Sequence, residues 1–190
     1  MAQANQDLDS PVRRCGRWAR ALLLAAAAGA ALAPARPLAF WNVAVGDPVR
    51  DRVMPTLDGA REPLLGRAHA TVFVLFRPNH DLSLQTLRDV AQLQRKCAGS
   101  VRFVALASGA YAPGAVRDII RSAGLHAAVL VDQRDALAGE LGTDVRPVVA
   151  IVDEAHRLVA YQPYLSVNMQ DTLWAQLRGL LDLRGIVAQR

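Results

Sequence analysis

Sulfur is almost missing from this chain: its 190 residues include two cysteines, Cys15 and Cys97, far apart in sequence. That excludes a Cys-x-x-Cys motif and any disulfide framework. Lysine is nearly missing as well, since Lys96 is the single one, and the net charge of +5 and pI near 10 rest on arginine. Without the first 35 residues, 18 basic residues face 15 acidic ones, and the arginines are interspersed with the acids. No basic stripe is left for a phosphate backbone, so a nucleic-acid partner is not expected. The third absence is a long apolar run. Residues 21–33 give an alanine- and leucine-rich stretch of about 13 residues, short of the ~20 that a spanning helix requires.

What precedes and follows that stretch gives it a meaning. Arg13, Arg14, Arg17 and Arg20 lead into it, and Ala31-Leu32-Ala33 and Ala33-Pro34-Ala35 close it. Charged start, apolar middle and small-residue end are the parts of a secretory signal peptide, with cleavage expected after Ala35 because Pro34 hinders the upstream cut. The alternative is an uncleaved anchor extended through residues 38–41, which would be the chain's one tie to a membrane. Export leads to an oxidising compartment, where cysteines usually pair. Here processing would remove Cys15 and leave Cys97 alone.

The rest of the chain has 52% hydrophobic content overall to draw on, enough for one buried core. Leu57-Asp58-Gly59-Ala60 between short extended runs at 52–56 and 62–65 predicts a hairpin, because glycine accepts the positive φ of a tight turn. The continuous β-branched and apolar run 70–76 predicts a strand covered on both faces. Leu84, Leu87, Val90, Ala91 and Cys97 recur at helical spacing, which predicts a helix over 83–98 ended by Gly99. A strand at 101–106 and a helix through Val116, Ile119, Ile120 and Ala123, closed by Gly124, complete a parallel βαβ unit. Next come a short strand at 127–131 and a short helix at 135–141 ended by Gly142. Strands at 148–152 and 157–161 are joined tightly enough to pair antiparallel. A last helix, capped by Asp171, carries Leu173, Trp174, Leu177, Leu180 and Leu181.

This order, with Val45-Gly46-Asp47-Pro48-Val49-Arg50-Asp51 and Leu57-Asp58-Gly59 at its start, resembles the thioredoxin fold in its redoxin branch, which holds the peroxiredoxins (AhpC/TSA-like) and exported thioredoxin-like proteins. Val131-Asp132, Leu141-Gly142 and Val145-Arg146-Pro147-Val148-Val149-Ala150-Ile151-Val152-Asp153 resemble that family's second half. The resemblance implies an α/β three-layer sandwich with a mixed central sheet and an N-terminal β-hairpin extension. It also implies a cis Pro147 facing the turn after the first central strand. The expected layout is a signal peptide at 1–35, a linker at 36–44, the domain at 45–183 and a tail at 184–190.

The departure from the family falls at that turn, Arg77-Pro78-Asn79-His80-Asp81-Leu82-Ser83. A dithiol site requires a helix-start cysteine of lowered pKa and a second one to resolve the mixed disulfide. Asp81 and Leu84 stand at those places. Aligned on the peroxiredoxin motif from Pro78, Leu82 and Gln85 fall at the hydroxyl and peroxidatic positions. Neither a carboxylate nor an amide can form a disulfide or a recyclable sulfenate. The fold's thiol chemistry is therefore not expected here, and neither is a cofactor.

The remaining residues yield modest candidates. Cys97 lies on the apolar stripe, where a free cysteine packs as a small hydrophobe. The rival reading makes it the thiol of a one-cysteine reductase or peroxidase, activated by Arg95 and Lys96. His80 and Asp81 alone make a poor metal site, and Asp81 or Ser83 as a helix-start acceptor explains the same turn. His69, His126 and His156 are expected to be solvated. The binding candidates are Arg77, Pro78, Asn79, His80, Asp81, Ser83, Arg146 and Pro147, a groove for another envelope protein or an extended peptide. On this reading the protein is an exported, non-enzymatic binding or envelope-assembly module.

Overall fold

A computed structural model describes residues 40–97, 99–164 and 168–182. The expected signal peptide and the tail at 184–190 lie outside the described residues. A two-stranded hairpin, β1 (Val53–Pro55) and β2 (Arg61–Pro63), opens the fold. Gly59 takes a φ of +82° between the strands, as the Asp-Gly pair predicts.

The central sheet has five strands: β3 (Ala70–Phe76), β4 (Val101–Ser108), β5 (Ala128–Asp132), β6 (Val148–Asp153) and β7 (Leu158–Pro163). Their spatial order is β5-β4-β3-β6-β7. β3, β4 and β5 run parallel, and β6 and β7 are antiparallel additions on the other side of β3. Strand β3 is buried along its whole length because each of its faces has a core of its own. Val72, Val74 and Phe76 point into a core built with α1 (Asp81–Lys96), α2 (Pro113–Ala123) and α4 (Met169–Asp182). Phe73 and Leu75 point the other way, towards Met54, Leu64 and Leu65 of the hairpin region and Leu137 and Leu141 of α3 (Ala136–Leu141). The three layers that the resemblance implies are present.

Several boundaries differ from the sequence reading. Helix α1 starts at Asp81, two residues earlier than predicted, and Cys97 is its C-cap rather than a helical residue. Asp171 does not cap α4 but lies in its first turn, where the amide of Thr172 donates to the Asn168 carbonyl at 3.0 Å. The chain after β5 passes through a 3₁₀ turn, Gln133–Asp135, with Arg134 and Asp135 both at positive φ. The described part of the expected linker, from Phe40 onward, contributes to the core. Phe40 is 1% exposed and packs against Tyr161 at 5.1 Å between ring centroids. The Trp41 amide donates to the Gly142 carbonyl at 3.1 Å, and a Cβ on Gly142 would stand 2.6 Å from the Trp41 ring. Glycine at 142 is thus required twice, for its φ of +69° and for this close approach.

Candidate functional site

The topology collects the candidate residues at one edge of the sheet. Parallel β3, β4 and β5 end there, and antiparallel β6 begins there, so four connections converge at the carboxyl edge, where α/β folds place their sites. These are the turn 77–80, the loop after Ser108, the 3₁₀ turn Gln133–Asp135 and the approach through Arg146 and Pro147. The last pair of the β3–β6 register is Leu75 with Val148, so the next step brings Pro147 alongside Phe76, at the root of the turn. The Arg146–Pro147 peptide bond is cis.

The turn is held from below by Ser83. This serine is fully buried, and its hydroxyl accepts the Arg77 amide at 3.1 Å. It therefore closes the turn rather than capping the helix, which corrects the expected role. The N-cap residue is His80, which makes no side-chain cap bond; its carbonyl accepts the amides of Ser83 at 2.9 Å and Leu84 at 3.3 Å. Asp81 is not a cap either. It is the first helical residue, exposed, with its negative charge in the first turn where the helix dipole favours it.

Pro78, Asn79, His80 and Asp81 line an open cleft of about 470 Å³, together with Leu84 of α1 and Ala115, Asp118, Ile119 and Ser122 of α2. The α2 residues were not legible in the sequence, because nothing in the spacing of α2 says which helix it will lie against. Arg146 does not line this cleft. Its guanidinium donates to Asp135 at 2.9 Å, with the side chain only 9% exposed, and Ser108 donates its hydroxyl to the other Asp135 oxygen at 3.2 Å. The eight binding candidates thus lie at one edge but divide between the turn and a separate Ser108–Asp135–Arg146 network.

No protein-family profile and no curated protein matches this chain. Solved structures do. A hypothetical protein from Sinorhizobium meliloti superposes with a TM-score of 0.64 at 18% identity, covering 74% of this chain and 85% of that one. A secreted Mycobacterium tuberculosis disulfide oxidoreductase, homologous to DsbE of E. coli, gives 0.58 at 17% identity, covering 67% and 95%. A thiol:disulfide interchange protein of the thioredoxin family from Chlorobium tepidum gives 0.59 at 16%, covering 73% and 98%. The fold is thioredoxin-like. Identities this low establish the architecture and leave the chemistry to the residues.

Those residues place sulfur at the wrong end of α1 for the chemistry named in two of these neighbours. Cys97 is the one cysteine among the described residues, separated from the turn by the 16 residues of the helix, ~24 Å along its axis. It is packed into the core, and burial pushes its thiol up to about 11, against a smaller lowering by Lys96. The Lys96 ammonium stands 5.7 Å from the centre of the Trp174 ring, which gives that cation a partner other than the sulfur. Trp174 is packed against the core beside it, as the sequence suggested.

The histidines are dispersed. His69 pairs with Glu154 at 3.2 Å, and the backbone of His126 is held by both ends of the Gln94 side chain. Among the described residues, no three His, Cys, Asp or Glu side chains stand close enough together to hold a metal ion.

Proposed function

We propose that this protein is an exported, non-enzymatic binding module that uses the turn 77–83 and its cleft against α2 to hold another envelope protein or an extended peptide. The observation that carries the reading is the contrast within α1. The helix start is presented at the site edge on a turn locked by Ser83, yet Asp81, Leu84 and Gln85 stand where sulfur chemistry would need thiols. Asp81 and Leu84 reach the cleft, where a carboxylate and an apolar side chain can bind but cannot exchange disulfides. Export is supported by the sequence of residues 13–35 and by a neighbour described as secreted. Among the described residues, no helix is long and apolar enough to cross a membrane.

The rival, a one-cysteine reductase or peroxidase working through Cys97, requires an accessible thiol of depressed pKa. Burial and an upward shift weigh against it. Insulin-reduction and peroxide-consumption assays decide between the two. No turnover is expected from the wild type, and robust turnover abolished by Cys97→Ser overturns the binding reading. For the positive side, a photo-crosslinking residue at position 79 should capture an envelope partner that the same residue at position 95 does not. Equal capture from both positions would remove the turn from the proposal.

A further inference from the structure

The carboxyl edge holds a second cavity that the turn does not line. Residues 108–110 and 133–136 border an open cleft of about 790 Å³ beyond the ends of β4 and β5. Its walls are fixed to each other. The Gly109 amide donates to the Asp132 carbonyl at 3.0 Å, and the Ser108 hydroxyl donates to Asp135 at 3.2 Å. A Cβ on Gly109 would already meet Val131 at 3.4 Å and the Gln133 backbone at 3.5 Å, so the two loops approach closely there. One wall is also held in an uncommon backbone state. Arg134 and Asp135 are consecutive non-glycine residues with φ of 57° and 53°, and such residues cluster at ligand sites.

Charge decides what the cavity suits. Both oxygens of Asp135 are engaged, one by the Ser108 hydroxyl and the other by the nearly buried Arg146 guanidinium, so its negative charge is already compensated. Arg134 is exposed on the cavity wall, and among the described residues it forms no ion pair. Asp132 behind this wall is buried, with its two carboxylate oxygens held by the Leu137 and Ala138 amides at 2.9 and 3.0 Å, so it does not engage Arg134, whose guanidinium is a planar fork that matches a carboxylate in two hydrogen bonds. The Gln133 amide on the same wall is a further donor.

We propose that this cavity binds a small organic carboxylate of single negative charge, anchored by Arg134, at a site separate from the turn. A dianionic phosphate would carry one charge more than the Arg134 guanidinium offsets. The test is an amide chemical-shift titration of the protein with sodium acetate, with inorganic phosphate and with sodium chloride at matched ionic strength. Acetate is expected to give saturable shifts confined to residues 108–110 and 133–136. Arg134→Gln should weaken binding tenfold or more, and Arg134→Lys, which keeps the charge without the fork, should weaken it less. Because Arg134 is exposed, both variants are expected to retain the wild-type spectrum elsewhere. Chloride shifts equal to those of acetate, saturation by phosphate in place of acetate, or an acetate titration unchanged in Arg134→Gln would each overturn the assignment.

Discussion

The two ends of α1 are opposites. At its start, Asp81 is exposed on a cleft, His80 leads into the helix, and a buried serine fixes the approaching chain. At its finish, Cys97 is packed against the core, 9% exposed, with its thiol pushed up to about 11. A reactive thiol needs the first environment, because a helix start and solvent both favour the thiolate. A packing thiol needs the second. The lesson is that a single cysteine in a thioredoxin-like fold says little until its place along α1 is known.

The sharpest way to break this contrast is to move sulfur to the other end. The double variant Asp81→Cys, Leu84→Cys places thiols at the first turn of α1 with two residues between them. It should introduce measurable insulin-disulfide reduction. Activity should require both cysteines, and an inactive but folded double variant would show that the turn cannot support dithiol chemistry.

A smaller effect concerns the native thiol. At pH 8, a thiol titrating near 11 is ~0.1% thiolate, so alkylation of Cys97 should run on the order of a hundredfold slower than that of a free cysteine of pKa ≈ 8.5. The sign follows from the upward shift. The fold favours the neutral thiol, so this site does not penalise stability below the thiol's ordinary pKa, and it weakens the fold as pH rises towards 11. A native alkylation rate matching that of the unfolded chain would contradict the burial.

Stability measurements compare the two ends directly. Ser83→Ala leaves the Arg77 amide without its acceptor at a half-buried position and should cost about 1–2 kcal/mol in denaturant unfolding. Cys97→Ala removes only a sulfur atom from the core and should cost about 1 kcal/mol. A larger loss at Cys97 than at Ser83 would reverse the ranking of the two ends.

The smallest effect lies between them, at Asp89. Burial raises its carboxyl above the ordinary range, and the Gln85 hydrogen bond at 3.2 Å partly offsets this. The fold thus favours the protonated acid. Its contribution is present below the unfolded carboxylate pKa and is lost as pH rises through the folded one. Asp89→Asn should therefore stabilise the protein slightly at neutral pH and leave acid stability unchanged, the gain being kept small by solvent screening. Thermal unfolding at pH 3 and pH 7 checks this, and an equal shift at both pH values would assign the effect to something other than ionisation.

Much of the fold was legible residue by residue. The unbroken apolar run of β3 announced a strand with a core on each side, Asp58-Gly59 announced the hairpin, and Gly124 and Gly142 marked two helix ends. The site was legible in part. The turn and Pro147 could be found because backbone-restricting residues leave a local trace. Ser83 was legible as an acceptor at the helix start but its donor, the Arg77 amide, was not, because whether a serine hydroxyl caps its own helix or closes the preceding turn depends on where the chain enters.

By itself, then, the sequence determined what this protein cannot do at the turn, since chemistry follows from side-chain identity, and no folding places a thiol at Asp81, Leu84 or Gln85. It also determined the element order, because hydrophobic periodicity and glycine placement act locally. Only the tertiary structure decided that α2 forms the far wall of the turn's cleft, that Phe40 belongs to the core, and that Arg146 is drawn to Asp135, away from the turn. These outcomes depend on which surfaces meet when the two cores close on the sheet. That meeting is set by shape and charge between residues distant in sequence, and no local pattern encodes it.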